Sequence, residues 1–436
     1  MQPATTQESA VNKTFVLRNA KIGTRFVDVW VEDGFIKNTA HHGSDDALHM
    51  PTEIPQEDGT GLKIFPSFID AHVHLREPGF EYKEDIASGL NAAAHGGFGA
   101  VLCMANTNPV NDNASVTRLM LDAAKRAYPH GGVRLYPVGA LTVGLEGKGL
   151  APMAELKEAG CVAFSNDGRP VTNTEIFRRA LEYANDQGCP VIDHCEDEFL
   201  GKGGDMNESA LSGLMGLKGQ PCIAETIQVY RDILLAQYLN AKVHLAHIST
   251  AQSMAAIFQA KGNRAPVTAE TCPHYLFLDE SAVENYNTAA KVNPPLRTPE
   301  DVQGVREALS NGTIDILTTD HAPHAAHEKE TPFDEAPFGI SGLDSAVSLT
   351  WELVRDGVIN ETDMVRLWCH GPARIFGLPV NTFQPGASAD FFLFDPNELW
   401  KLTPETMHSK SKNTPFLGRE MFGRVKAHWV NGVRVA

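Results

Sequence analysis

The chain has 436 residues, 42% of them hydrophobic, a length that exceeds one average domain and suits a barrel with an attached second unit. Its net charge of −17 argues against nucleic acid and anionic membrane surfaces as partners, and no run reaches the roughly eighteen apolar residues of a membrane span. Cys103, Cys161, Cys189, Cys195, Cys222, Cys272 and Cys369 form a scattered set with no C-x-x-C, so free thiols and a reducing cytoplasm are expected.

Residues 1–13 read as a polar tail that lacks the basic-then-apolar order of a signal peptide. From 14 to 65, "TFVLRNAKI", "FVDVWVEDGFIKN" and "GLKIFP" are short strands separated by turn residues. From 66 to 378 the pattern changes to strand-like runs that alternate with helical ones. The strand candidates begin with "FIDAHVHL" (68–75), "FGAVLCMA" (98–105), "VRLYPVGAL" (133–141) and "CVAFSN" (161–166). "PVIDHCE" (190–196), "KVHLAHIS" (242–249), "VTAETCPH" (267–274) and "DILTTDHAPH" (315–324) complete the set. Stretches between them, such as "ASVTRLMLDAAKRAY" and "IAETIQVYRDILLAQYLN", repeat apolar residues at three- and four-residue intervals, as amphipathic helices do. Eight β-then-α units in series predict an α/β fold, a (β/α)₈ barrel. A doubly wound sheet is the alternative, but no G-x-G-x-x-G opens a helix after the first strand. Residues 379–436 return to short strands, and "VNGVRV" carries an Asn-Gly hairpin signal. The two ends are expected to pair into one small composite β domain, 14–65 with 379–436, beside the 66–378 barrel.

Polar residues cluster at the strand ends. Alternation along the first strand places His72 and His74 on one face and Ala71, Val73 and Leu75 on the other. Asp167 lies just beyond the fourth strand, His194 near the end of the fifth, His247 near the end of the sixth and Asp320 near the end of the eighth. Each alone reads as an ordinary hydrogen-bonded histidine or capping aspartate. In a barrel, however, all these strand ends converge on the face where active sites sit. Four imidazoles and two carboxylates without thiolate suit zinc, or manganese or cobalt in its place. Six ligands exceed what one tetrahedral ion uses, so two metals sharing a carboxylate are expected, and the chemistry is metal-assisted hydrolysis.

The segments "FIDAHVHLREPG", "MANTNPV", "AFSNDG", "KVNPPLR", "TTDHAPH" and "NTPFLGR" resemble the dihydroorotases of the amidohydrolase superfamily, from about residue 14 onward. The resemblance implies a metal-containing (β/α)₈ barrel with a β domain built from both termini. It also implies reversible hydrolysis of dihydroorotate to N-carbamoyl-L-aspartate in pyrimidine (UMP) biosynthesis. Carried over by motif, His72, His74, Asp167, His194, His247 and Asp320 are metal ligands, with two zinc ions bridged by Asp167 and Asp320 doubling as general base and acid. His74, Arg76, Asn106 and His324 lie where the family binds the substrate carboxylate; Asn293, Phe338 and Gly339 match positions that touch the ring. Arginine suits a two-pronged carboxylate contact, and asparagine offers both donor and acceptor. As to partners, the resemblance leaves open a homodimer and an assembly with aspartate transcarbamoylase.

Two features depart from the wider pattern. Many superfamily members bridge their metals with a carboxylated lysine on the fourth strand, where this chain has "CVAFSNDG" and its nearest lysine, Lys157, lies upstream. Relatives commonly read Asp-Asp-Gly where this chain has Asn166 before Asp167, and the missing charge is expected to weaken one metal position. The rival readings are a hydantoinase or allantoinase, which normally carry the lysine, and an inactive structural partner of a transcarbamoylase, which typically lacks metal ligands.

Overall fold

The computed structural model describes residues 12–436; of the expected polar tail, residues 1–11 lie outside the described residues. Eight parallel strands follow one another in chain order around one sheet. They are β1 (Phe68–Val73), β2 (Phe98–Cys103), β3 (Arg134–Ala140), β4 (Ala163–Ser165), β5 (Val191–His194), β6 (Val243–Ala246), β7 (Val267–Thr271) and β8 (Ile316–Leu317). The remaining gap between β8 and β1 is spanned by a bridge between Val73 and His321, where the His74 amide donates to the His321 carbonyl at 2.8 Å. This nearly closed ring is the barrel that the alternating pattern predicts.

Each strand is followed by a helix of the outer layer. These are α1 (Ile86–His95), α2 (Ala114–Ala127), α3 (Met153–Ala159), α4 (Thr174–Asp186), α5 (Ile223–Leu239), α6 (Ala251–Gly262), α7 (Pro299–Ser310) and α8 (Ala346–Arg355). Side-chain caps start several of them: the Asn113 carboxamide oxygen accepts from the amides of Ser115 and Val116, and Asn173 does the same for Glu175 and Ile176. Strand residues such as Val101, Val191 and Val243 pack outward against Leu90, Met120, Leu181 and Ile257 of the helices. Ile69, Leu102, Val138, Ile192 and Ile316 fill the barrel interior together with Phe376. With that interior apolar and packed, the polar strand ends are left as one layer on top.

Simple alternation fails once on β1. Ala71 packs with Ile69 in the inner cluster, whereas Val73 and Leu75 pack in the outer one. The pairing with β2 shifts register between Asp70 and Val73, and that irregularity breaks the period of two. The eighth strand is also shorter than "DILTTDHAPH" suggests. Its ladder stops at Leu317, and Asp320 takes a left-handed backbone at φ 45°.

The second sheet comes from both ends of the chain. Phe15–Ile22, Arg25–Glu32, Phe35–His41 and Lys63–Pro66 join Phe391–Lys401, Glu420–Val430 and Val433–Arg434, with Phe391 paired to Pro66 across the two ends. The Asn431–Gly432 turn has φ of 51° and 70° at its two positions, as the hairpin signal requires. Phe15, Leu17, Val29, Phe391 and Trp429 form its core. His428 ties this sheet to the barrel, with Nε2 2.8 Å from Ser67 Oγ and Nδ1 2.7 Å from the Ala94 carbonyl.

Candidate active site

Six strand-end residues named from the sequence come together at the top of the barrel, all of them buried. Asp167 sits at their centre. Its Oδ1 is 3.3 Å from His72 Nε2, 3.3 Å from His247 Nε2 and 3.7 Å from His194 Nδ1, while its Oδ2 is 3.4 Å from His74 Nε2. Asp320 Oδ1 lies 3.1 Å from His74 Nε2 and 3.7 Å from His72 Nε2. Ligand atoms of His72, Asp167 and His247, and of His72, His74 and Asp320, fall within 4.8 Å of one another. Although burial alone would raise it, His72, His194 and His247 hold the Asp167 carboxyl well below the usual carboxylate range. Arg76, His247 and Asp320 are non-glycine residues with φ of 63°, 34° and 45°. Such backbone is uncommon for non-glycine residues and recurs where strain aims a functional side chain.

The tautomers follow from the outward nitrogens. His72 Nδ1 lies 2.7 Å from Glu270 Oε1, His74 Nδ1 2.8 Å from Asn106 Oδ1, and His194 Nε2 2.8 Å from Glu196 Oε2. An acceptor at each of these positions requires N–H there, so each ring, when neutral, turns a lone pair toward Asp167 and Asp320. His194 Nδ1 and His247 Nε2 face each other at 3.1 Å, and His72 Nε2 is buried without a hydrogen-bond partner. Converging lone pairs around two carboxylates are what a bound cation satisfies. A third buried cluster, Asp193, Cys195 and Asp232, is already paired with Arg231, 2.7 Å from Asp232 and 3.3 Å from Asp193.

One flank of this centre is cationic. Arg76 donates from Nε to the Pro323 carbonyl at 3.1 Å and approaches His324 at 3.2 Å; among the described residues it pairs with no carboxylate. Burial, with Arg76, Lys83 and Lys329 nearby, pushes the His324 pKa down to about 2, so the ring is neutral. Its Nδ1 accepts from Lys83 at 3.3 Å and its Nε2–H donates to the Phe338 carbonyl at 2.9 Å. Asn413, in the "NTPFLGR" segment, holds the loop by accepting from the His324 amide and donating to the carbonyls of Ala322 and Gly339. Gly339 has φ +145°, and a Cβ there would stand 2.5 Å from the Ala322 carbonyl oxygen, so the loop demands glycine. On the other flank Asn293 donates to Glu196 Oε2 at 2.8 Å, leaving its Oδ1 buried without a partner. Asn293, Glu196, Lys291 and Phe338 line a cavity of about 900 Å³ that opens beside the cluster.

A family model described as Dihydro-orotase-like matches residues 61–253. A dihydroorotase of Geobacter metallireducens is 46% identical over 93% of this chain and 94% of its own length. One of Pelotomaculum thermopropionicum is 47% identical over 93% of both. The chain belongs to the dihydroorotase family. Among solved structures, an L-hydantoinase (dihydropyrimidinase) of Arthrobacter aurescens superposes with a TM-score of 0.84 over 97% of this chain and 96% of that one, at 22% identity. A dihydropyrimidinase of Brevibacillus agri gives 0.81 over 97% and 94%, at 21% identity. These two matches establish the shared barrel-and-sheet fold.

For this dihydroorotase-family chain, sequence reasoning missed Glu196 and Glu270. Glu270 is fully buried on β7, its Oε2 2.9 Å from His244 Nε2, and that ring's Nδ1 is 2.7 Å from Thr268 Oγ1. An acid inside the apolar run "VTAETCPH" was the available signal. Asn106, expected at the substrate carboxylate, has its side-chain oxygen against His74 Nδ1. Lys157 is spent on the Gln187 carbonyl on the outside of the barrel. The Asn166 side chain turns away from the cluster, accepting from the Thr142 amide at 3.1 Å and donating to Thr142 Oγ1 at 2.7 Å.

Proposed function

We propose that the chain catalyses the reversible hydrolysis of dihydroorotate to N-carbamoyl-L-aspartate, the ring-closing and ring-opening step of pyrimidine biosynthesis. One observation carries the choice of substrate. Arg76, a guanidinium with no carboxylate partner among the described residues, stands beside the metal-ligand cluster, where a ring bearing a carboxylate would pair with it. The buried, unpartnered Asn293 Oδ1 is an acceptor suited to a ring N–H, and Phe338 offers an apolar face beside it.

The donor set fits two zinc ions: His72, His74 and Asp320 would hold one, His194 and His247 the other, and Asp167, whose carboxylate faces both groups of histidines, would serve both. When bound, such ions supply acidification of a water and polarisation of the amide carbonyl. Asp320 takes the proton of the attacking water and returns it to the ring nitrogen as the C–N bond breaks, because an amide anion is a poor leaving group. One product group is a carboxylate and the other a ureido NH₂; ring closure uses Asp320 in the opposite protonation state. Glu270, Asn106 and Glu196 keep the ligand nitrogens aimed throughout.

Six of the seven cysteines are buried and all are free, which supports a reducing cytoplasm as the location. No helix of the described residues is long and apolar enough to cross a membrane. Turnover of the purified protein on dihydroorotate, hydantoin and allantoin side by side, with metal content measured, tests the reading. Dihydroorotate should be the preferred substrate by a wide margin; preference for hydantoin or allantoin would reject it.

A further inference from the structure

Two lysines are buried behind the cavity wall that carries Phe338: Lys291 is 2% exposed and Lys329 8%. A buried ammonium is costly unless its charge is met. The carboxylate next to Lys329, that of Glu328, is turned to Lys83 at 2.8 Å. Lys329 instead donates to three carbonyl oxygens, those of Pro337 at 2.6 Å, Thr288 at 3.0 Å and Lys291 at 3.3 Å. Burial, with Lys291 and Arg76 nearby, pushes its pKa down to about 7. The Lys291 ammonium donates to the carbonyls of Phe333 at 2.7 Å and Asp334 at 3.1 Å and meets Asp205 at 3.0 Å. It also lies 4.7 Å from the centre of the Phe338 ring, where a cation is drawn to the aromatic face.

These bonds join two segments that are remote in the chain. One, 288–293, follows β7 and ends at Asn293; the other, 325–340, follows β8 and carries Phe338 and Gly339. Each lysine head reaches the backbone of the opposite segment, Lys329 at Thr288 and Lys291, and Lys291 at Phe333 and Asp334. Two further bonds close the same seam. The Gly339 amide donates to the Lys291 carbonyl at 2.9 Å, and Thr288 Oγ1 donates to the Lys329 carbonyl at 2.6 Å. Residues 330–339 form no helix or strand, so no regular ladder fixes their shape. Buried carbonyls there must find donors elsewhere, and the two ammoniums supply them.

We propose that Lys291 and Lys329 are positioning residues that lock these two segments into one wall against the ring of the substrate. The inference rests on the reading that the chain binds dihydroorotate with Asn293 and Phe338 at its ring. Both ammoniums spend their protons on the oxygens just named, so they act through Asn293 and Phe338 rather than on the reacting bond. The ring is gripped in the ground state and in the transition state alike. A looser wall therefore weakens both equally, which raises KM and leaves kcat in place. A residue of the catalytic centre would do the reverse.

The test uses the full-length, metal-loaded protein. Lys329→Met should raise KM for dihydroorotate about tenfold or more and hold kcat within about threefold, because several hydrogen bonds to a charged group are lost. Hydrogen exchange of the amides of 333–340 should quicken by about the same factor, while β1 keeps its protection. Thr288→Val removes one strut without emptying a charged site, and should raise KM about two- to fivefold, so it decides the matter if Lys329→Met does not fold. Lys261, whose ammonium bonds the Thr313 carbonyl at the opposite end of the barrel, is the control. Lys261→Met should lower the melting temperature and leave KM alone. A Lys329→Met protein with unchanged KM, or with unchanged exchange over 333–340, would overturn the proposal. A wild type that does not turn over dihydroorotate would reject the proposed reaction instead, and the exchange rates would then decide the lysine lock by themselves.

Discussion

Glu270 Oε1 lies 2.7 Å from His72 Nδ1, and its other oxygen lies 2.9 Å from His244 Nε2, so one fully buried carboxylate holds an imidazole of the strand-end cluster from behind. Despite its burial, His72 and His244 hold this carboxyl below its ordinary range, in the anionic form that a donor on each side requires.

Glu270→Gln keeps the volume but gives the His72 side a group able to donate. The ring then turns its N–H toward Asp167 and loses the lone pair. Metal affinity should fall about 10- to 100-fold, the usual effect of losing such a partner. Metal retained after dialysis against a graded chelator reads this directly. Unchanged retention with a lower melting temperature of the metal-free protein would make Glu270 a packing residue only.

The gently purified protein should contain close to two divalent ions per chain. The two oxygens of Asp167 face different histidines, and Asn166, spent on Thr142, stands outside the cluster. Elemental analysis checks this. One ion per chain with full activity and no gain on added zinc would reject a bridging Asp167.

Arg76→Gln should cost dihydroorotate about 2–4 kcal/mol in transition-state stabilisation, several tens- to roughly a thousand-fold in kcat/KM, because a charge-assisted contact is lost. Hydantoin, which has no carboxylate, should be affected far less. Equal losses on both substrates would mean that Arg76 only holds the Pro323 loop.

Asp320→Asn preserves shape and removes the base. Both directions of the reaction should slow by roughly a hundredfold or more. Metal content must be measured in parallel, since Asp320 belongs to a group of side chains that could hold an ion. A variant that keeps its metal and loses less than about tenfold in both directions would assign the proton transfer elsewhere.

His428 makes a prediction about stability. Burial pushes its pKa down to about 4, with its Nδ1–H donated to the Ala94 carbonyl and its Nε2 accepting from Ser67. The unfolded chain titrates this group near 6.5. Between those values the unfolded state binds a proton that the folded state does not, so stability falls as pH drops from 6.5 toward 4. The contribution is flat above that window and reaches on the order of 3 kcal/mol at its lower end. Thermal melts should show His428→Gln, which can both donate and accept, losing less stability than wild type over this interval. Parallel curves for the two proteins would sink the argument.

Eight apolar strand runs spaced by amphipathic helices determined a parallel α/β fold, because crossover helices cover both faces of such short strands, and the missing G-x-G-x-x-G favoured the barrel over an open sheet. The convergence of six strand-end residues was legible for the same reason: once the strands are parallel, their C-terminal ends share a face. The register shift between Asp70 and Val73, which sends Ala71 inward, was not legible, since a bulge depends on how β1 is paired rather than on its own residues. Nor were the left-handed backbones of Arg76, His247 and Asp320. The tautomers were decided by tertiary structure alone. Glu270 is 198 residues from His72 and Asn106 is 32 from His74, and no local pattern relates such pairs before the barrel closes.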